Sequence, residues 1–271
     1  MAETDPEEIR DRIIGLGAGS ARKNYYPQLQ EKIRDLELKQ QELMDLVRTL
    51  EERETMLEQL VDEKNALLKE VHHRVKNNFQ IMGSLLNLGL DAVSSESEAL
   101  AFVKTKRRLD SMALVYGQLL QAEHFSEVDL RGLVTQVVNS LYNDARLPGV
   151  ELLYGMACPD LYQDVDRAIP LTLIVTEVAS NAFDHAFPDG KGRLRVRLTE
   201  GTVDEADESG QARHLLEIAD DGCGFPGGTM PSLNSSLGLT LIDSLATQLK
   251  ASWSYGPGME GRGLGFRLTF T

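Results

Sequence analysis

The stretch EVHHRVKNNFQIMGSLLNLG sets His72 and His73 side by side, with Arg74, Lys76, Asn77 and Asn78 close behind. Only five histidines occur in the chain, so a tandem pair asks for a reason. A neutral imidazole carries an electron pair that can attack phosphorus, provided the ring reaches solvent. Two ordinary helix residues would look the same until their directions are known. Further along, Glu177 and Asn181 in TEVASNAFDHAF stand four apart, on one face of a helix. A carboxylate and an amide so placed can order a metal-bound phosphate or a water. Asp220, Gly222 and Gly224 in ADDGCGF follow an apolar run that reads as a strand. An acid at a strand end can accept from a base's amino group, and the glycines admit backbone close to a ligand. Ser236 and Gly238 in NSSLGLTL open a helix whose first amides can hold an anion. Taken singly, each has a plain reading: two satisfied polar residues, a turn, a helix cap.

These groups need elements to hold them. Leu29, Leu36, Leu43, Leu50 and Leu57 recur every seven residues, with Ile33, Val47, Val61 and Leu68 at the complementary a positions. That seam predicts a parallel, dimeric coiled coil over residues 29–63, weakened but held in register by Gln40 and Glu54 at a. The same phase puts His72 at e, beside the seam, and His73 at f, facing solvent. Extra apolar residues at Phe79 and Leu86 widen the stripe there, and a second helix is legible from Glu98 to Gln121. Residues 64–126 therefore read as an α-hairpin that pairs with its copy into a four-helix bundle. From 127 to 271 strands and helices mix without a regular βαβ repeat. A helix from Leu130 capped by Asp129, a strand at GVELLYG, an apolar helix from Pro170 to Phe187, two strands, a helix and a final hairpin predict a mixed-sheet α/β sandwich.

Composition bounds the functions. The net charge of -14 argues against nucleic acid or an anionic membrane as main partner. Cys158 and Cys223 lack the spacing of a zinc site or a disulfide framework. No apolar run is long enough to span a membrane, and the acidic N-terminus is unlike a signal peptide. The expectation is a cytoplasmic protein.

In their order and spacing the motifs resemble the N box and the two glycine boxes of the Bergerat-type ATP-binding fold. With HHRVKNN upstream, residues 64–271 resemble the sensor histidine kinases of the HWE-related group, specifically its second HisKA class. The resemblance implies ATP and Mg²⁺ as cofactors, a homodimer, and a response-regulator receiver domain as partner; no sensor domain is recognisable in the sequence, which leaves room for a separate sensor protein. It makes His73, the histidine before RVKN, the phosphoacceptor. It makes Glu177 the acidic N-box residue, Asn181 the Mg²⁺-ordering amide and His185 the N-box histidine. Asp220 becomes the reader of adenine, and Gly222, Gly224, Ser236 and Gly238 the glycine boxes over the nucleotide.

The chain departs from that pattern in places. Asp184 stands where the family usually has Lys or Arg, which predicts weaker nucleotide binding or slower transfer. Arg74 follows the phosphoacceptor where an acid is usual, which leaves the general base unnamed. The tryptophan motif of the strict HWE kinases is missing before Asp220. A rival from another class is a non-catalytic phosphotransfer adaptor with a degenerate ATP-binding domain; Asp184 alone favours it. KTKRR, residues 104–108, reads equally as a solvated helix face or as a landing site for a receiver's acidic pocket. GLGAGS at 15–20 reads as a loop, GRGLGF as a hairpin that could also touch the nucleotide, and His124 and His214 as ordinary surface or strand residues.

Overall fold

A computed structural model describes residues 22–93, 95–120, 127–158, 161–200, 213–225 and 237–271. GLGAGS, His124 and Ser236 lie outside the described residues. The chain divides into two compact units, Met1–Asn65 and Ala66–Thr271. No described helix is long and apolar enough to cross a membrane.

In the first unit every described residue belongs to helix α1, Arg22–Ala92. Leu29, Leu36, Leu43, Leu50 and Leu57 all lie exposed along it. Its polar positions support the helix locally, as in the Arg48–Glu52 pair at 3.2 Å, an i,i+4 contact of small worth. Among the described residues nothing covers the leucine stripe.

The second unit begins with the remainder of α1 and helix α2, Glu96–Leu119. The Tyr116 ring on α2 stands 5.7 Å from both the His72 and the Phe79 rings. Gly89 on α1 lies against Phe102, where any Cβ would collide with the ring. Two short strands, β1 (Glu127–Asp129) and β3 (Tyr162–Asp164), pair antiparallel. Each ends on an aspartate that caps the next helix. Asp129 accepts from Arg131 N and Gly132 N to open α3, Leu130–Ala145. Asp164 accepts from Arg167 N to open α4, Val165–His185. Reading α4 from Pro170 places its start five residues late: the cap at Asp164 fixes the origin, and proline is accommodated inside the helix.

Strands β2 (Gly149–Ala157), β4 (Lys191–Glu200), β5 (His214–Asp220), β6 (Ser252–Pro257) and β7 (Leu264–Phe270) form one sheet in the order β2-β4-β5-β7-β6. Only β2 and β4 run parallel; every other neighbour is antiparallel. The alternation along β4 and β7 turns Leu194, Val196 and Leu198, and Phe266, Leu268 and Phe270, into the core. The opposite face stays polar: Glu217 on β5 accepts from Arg267 at 3.2 Å and pairs with Arg197 at 3.7 Å. Helix α4 is buried along most of its length, because the sheet covers one side and α2 the other. At that second contact Thr176 donates to Ser111 Oγ at 2.7 Å. Helix α5, Leu237–Gln248, packs beside α4 through Leu239 and Ile242. The expectation of a helical hairpin followed by a mixed-sheet α/β sandwich describes this architecture.

Candidate functional site

His72 and His73 part company at the helix surface. His72 is 9% exposed, packed against Tyr116, with no hydrogen-bond partner for Nδ1. His73 is exposed, and Asn77 Nδ2, one turn on, donates to its Nδ1 at 3.2 Å. Arg74 Nε pairs with Glu70 Oε1, one turn back, at 2.7 Å.

The second cluster is built around α4. Glu177 is only 4% exposed. A Cβ added to Gly238, the second residue of α5, would stand 3.0 Å from Glu177 Oε2 and 3.9 Å from Asn181 Nδ2. Glycine at 238 thus lets the start of α5 close on the N-box carboxylate and amide. Asp184 and His185 lie on the exposed last turn of α4.

Asp220 ends β5 and is 4% exposed. Among the described residues both hydrogen bonds to its side chain fall on Oδ1, from Gly222 N at 2.9 Å and Leu264 N at 3.2 Å. Oδ2 is left for a donor from elsewhere. Burial pushes this carboxyl above its ordinary value, and the two amides pull it part of the way back. The loop GRGLGF therefore does more than turn the chain, since Leu264 in it holds Asp220. Gly222 lies against Ala186 at the end of α4, and Cys223 N donates to the Ala186 carbonyl at 3.0 Å. Gly224 adopts φ +65°, a conformation that favours glycine. Next to Asp220, Asp221 accepts from Arg193 N at 2.6 Å and Arg193 Nε at 2.8 Å. Burial would raise Asp221, but these bonds outweigh it and hold the carboxyl below its usual range.

The sequence reading missed several residues here. Arg108 Nε donates to Glu177 Oε1 at 2.6 Å, and Arg107 Nη1 to Asp184 Oδ2 at 2.7 Å. Two cations of KTKRR are therefore turned onto α4, and a wholly solvated face does not describe that run. Asp184 is not a bare charge. Tyr255 on β6 was also unflagged: burial first, then the carboxylates of Glu177 and Asp220, push its hydroxyl upward, so it stays a proton donor. Its only sequence signal is alternation in WSY.

A buried acid whose Oδ2 accepts from no donor among the described residues, glycines that let the chain close tightly around it, and an amide beside a helix start fit a nucleotide. Among the described residues no three His, Cys, Asp or Glu side chains gather as a metal cage. Asn181 is the side chain here that would help hold a Mg²⁺ ion, whose preference is for few protein ligands.

The comparisons with known proteins fall on the same two regions. The HisKA_2 family, described as histidine kinase, matches residues 70–145. The family of histidine kinase-, DNA gyrase B- and HSP90-like ATPases matches residues 166–270. This chain belongs to the sensor histidine kinases. It is 32% identical over 186 residues to the sensor histidine kinase PdtaS of Mycolicibacterium smegmatis. It is 30% identical over 185 residues to the PdtaS of Mycobacterium tuberculosis. Each match takes in 68% of this chain but only 35% of the relative, so the chain spans about a third of the length of those curated proteins. The histidine kinase domain of the Erythrobacter litoralis EL346 blue-light activated histidine kinase shares the fold, with a TM-score of 0.53 at 21% identity over 76% of this chain and 91% of that one. In this chain the helical histidine-bearing region precedes the ATPase region.

Proposed function

We propose that this histidine kinase autophosphorylates on His73 at the expense of ATP and passes the phosphoryl group to an aspartate of a response-regulator receiver domain. The observation that carries the reading is the exposure of His73 in a compact unit that also holds the Glu177, Asn181 and Asp220 cluster.

Asp220 Oδ2 accepts from the adenine amino group, and Gly222, packed against Ala186, holds the turn whose amide fixes Oδ1. Asn181 and the first turn of α5 receive the phosphates. Bound Mg²⁺·ATP supplies the γ-phosphoryl group and a cation that screens its charge. Tyr255 and the apolar wall beneath it exclude water from the buried end of the site. His73 presents a ring nitrogen, which forms the N–P bond as the bond to the β,γ-bridging oxygen breaks; ADP leaves and the ring proton passes to solvent. In the second step a receiver carboxylate takes the phosphoryl group and the N–P bond breaks. Catalysis here is mostly positioning and charge neutralisation.

The leucine seam, open in a single chain, is the surface through which two copies pair. The proposed organisation is a coiled coil at 29–63, a phosphoacceptor hairpin at 64–126 and an ATP-binding domain at 127–271, in a cytoplasmic homodimer. Incubation with γ-labelled ATP and Mg²⁺, followed by a chase with a receiver domain, tests the function. Acid-labile, alkali-stable label that moves to the receiver is expected. A chain that binds ATP yet takes no label would support the adaptor reading instead.

A further inference from the structure

Glu177 is a buried carboxylate, and the cation that answers it comes from another helix, 69 residues away in sequence. The side chain of Arg108 on α2 is 19% exposed and that of Glu177 5%. A carboxylate in such a place is strongly disfavoured without a partner. The bond engages Oε1 alone. Oε2 is thereby turned toward Gly238 and the Asn181 amide, the corner where the start of α5 meets α4. Two turns along α4, Arg107 grips Asp184 in the same way.

Resting on the reading of this corner as the phosphate end of a nucleotide site, we infer that Arg108 is a positioning residue for it. It acts through Glu177: it fixes the plane of the carboxylate and cancels a charge that would otherwise face the triphosphate. Arg107 does the second of these for Asp184. The hairpin helix thus completes the ATP site with two cations that the α/β layer does not supply. Nucleotide affinity is consequently tied to the seating of α2 on α4, and by linkage bound nucleotide strengthens that seating.

The test is a double-mutant cycle on the full chain, with Mg²⁺·ATP affinity read by calorimetry and label on histidine read in parallel. Arg108→Ala is expected to weaken binding roughly ten-fold, in the range for coupled neighbours. Arg108→Lys should recover part of it, since it restores charge without the planar fork. In a Glu177→Gln background, where no charge needs an answer, Arg108→Ala should cost nothing. Thermal melting checks that each variant is folded, and Arg108→Gln, which keeps the bulk, replaces alanine if that variant is not. Arg48→Ala, on the exposed coil, should change neither readout. Equal losses in both backgrounds, or no loss in either, overturn the inference. If the wild-type chain binds nucleotide but takes no label, the kinase reading fails while the binding cycle still decides Arg108. A wild-type chain that binds no Mg²⁺·ATP overturns both.

Discussion

His73 and Asn77 are joined one helical turn apart, with the Asn77 amide 3.2 Å from His73 Nδ1. That contact governs which ring nitrogen bears the proton. An amide nitrogen can only donate, which leaves the proton on Nε2; an oxygen in its place accepts from Nδ1–H and frees the Nε2 electron pair. Attack through Nε2 therefore requires this contact to be released or replaced by an acceptor. At pH 8, Asn77→Asp should raise the initial labelling rate, by up to roughly three- to ten-fold, the worth of one hydrogen bond, and Asn77→Ala should not lower it. A loss of rate in both variants would remove the tautomer role.

Asp220 carries a pH prediction whose sign comes from its burial. Desolvation raises its carboxyl above the ordinary value, and only the ionised form is a full acceptor for adenine. Nucleotide affinity should be complete above that raised value and fade as pH falls through it, at higher pH than an ordinary carboxylate would set. Its share of fold stability runs the other way, since protonation relieves a buried charge. Asp220→Asn should weaken binding roughly ten-fold or more, as for a hydrogen bond to a charged group, and abolish this pH dependence. Calorimetric titration across pH reads both. Unchanged affinity in the variant would sink the adenine role.

Gly222 has no room for a side chain, because a Cβ there would strike the Ala186 carbonyl. Gly222→Ala should destabilise the fold by about 1–3 kcal/mol, typical of overpacking, and lower Tm by roughly 2–4 °C per kcal/mol. ATP affinity should fall with it, since the displaced loop carries Asp220's donor. Differential scanning calorimetry with and without nucleotide checks the pair of effects.

The motif residues were legible because each set is local. Glu177 and Asn181 share one helix, and Asp220, Gly222 and Gly224 share one strand end and turn. Their types and spacing mark them as a set, while the roles proposed for them come from the resemblance. Arg107 and Arg108 could not be assigned that way, because their partners lie 77 and 69 residues on and only packing of α2 on α4 brings them together. The carboxylates at 177 and 184 carry no mark in the sequence of the cations that meet them, since the burial that demands a partner appears only in the fold. Tyr255 was hidden for the same reason. Strands β1 and β3 are three residues each, too short for an alternating pattern, though the capping aspartates that end them were in plain view at 129 and 164. The α4 start was misplaced because proline is a stronger textual marker than the cap that governs it.

Helix α1 spans Arg22–Ala92, and the heptad phase of its sequence carries from the leucine seam into the stretch that bears His73. Inserting one residue between Leu50 and Leu57 rotates the downstream helix by about 100° relative to the seam, whereas seven residues restore the phase. Single insertion should change labelling of His73 sharply and seven-residue insertion should largely preserve it, with the dimer verified by light scattering. Indifference to insertion length in variants still dimeric would reduce the coil to a tether.

The two neighbouring histidines should differ in role because one faces Tyr116 and the other faces water. Acid-labile label from γ-labelled ATP, measured on His73→Gln and His72→Gln with calorimetric ATP binding as the control, tests this most directly. The His73 variant should take no label with its nucleotide affinity intact, and the folded His72 variant should take substantial label. Label that persists without His73 and disappears without His72 would contradict the assignment.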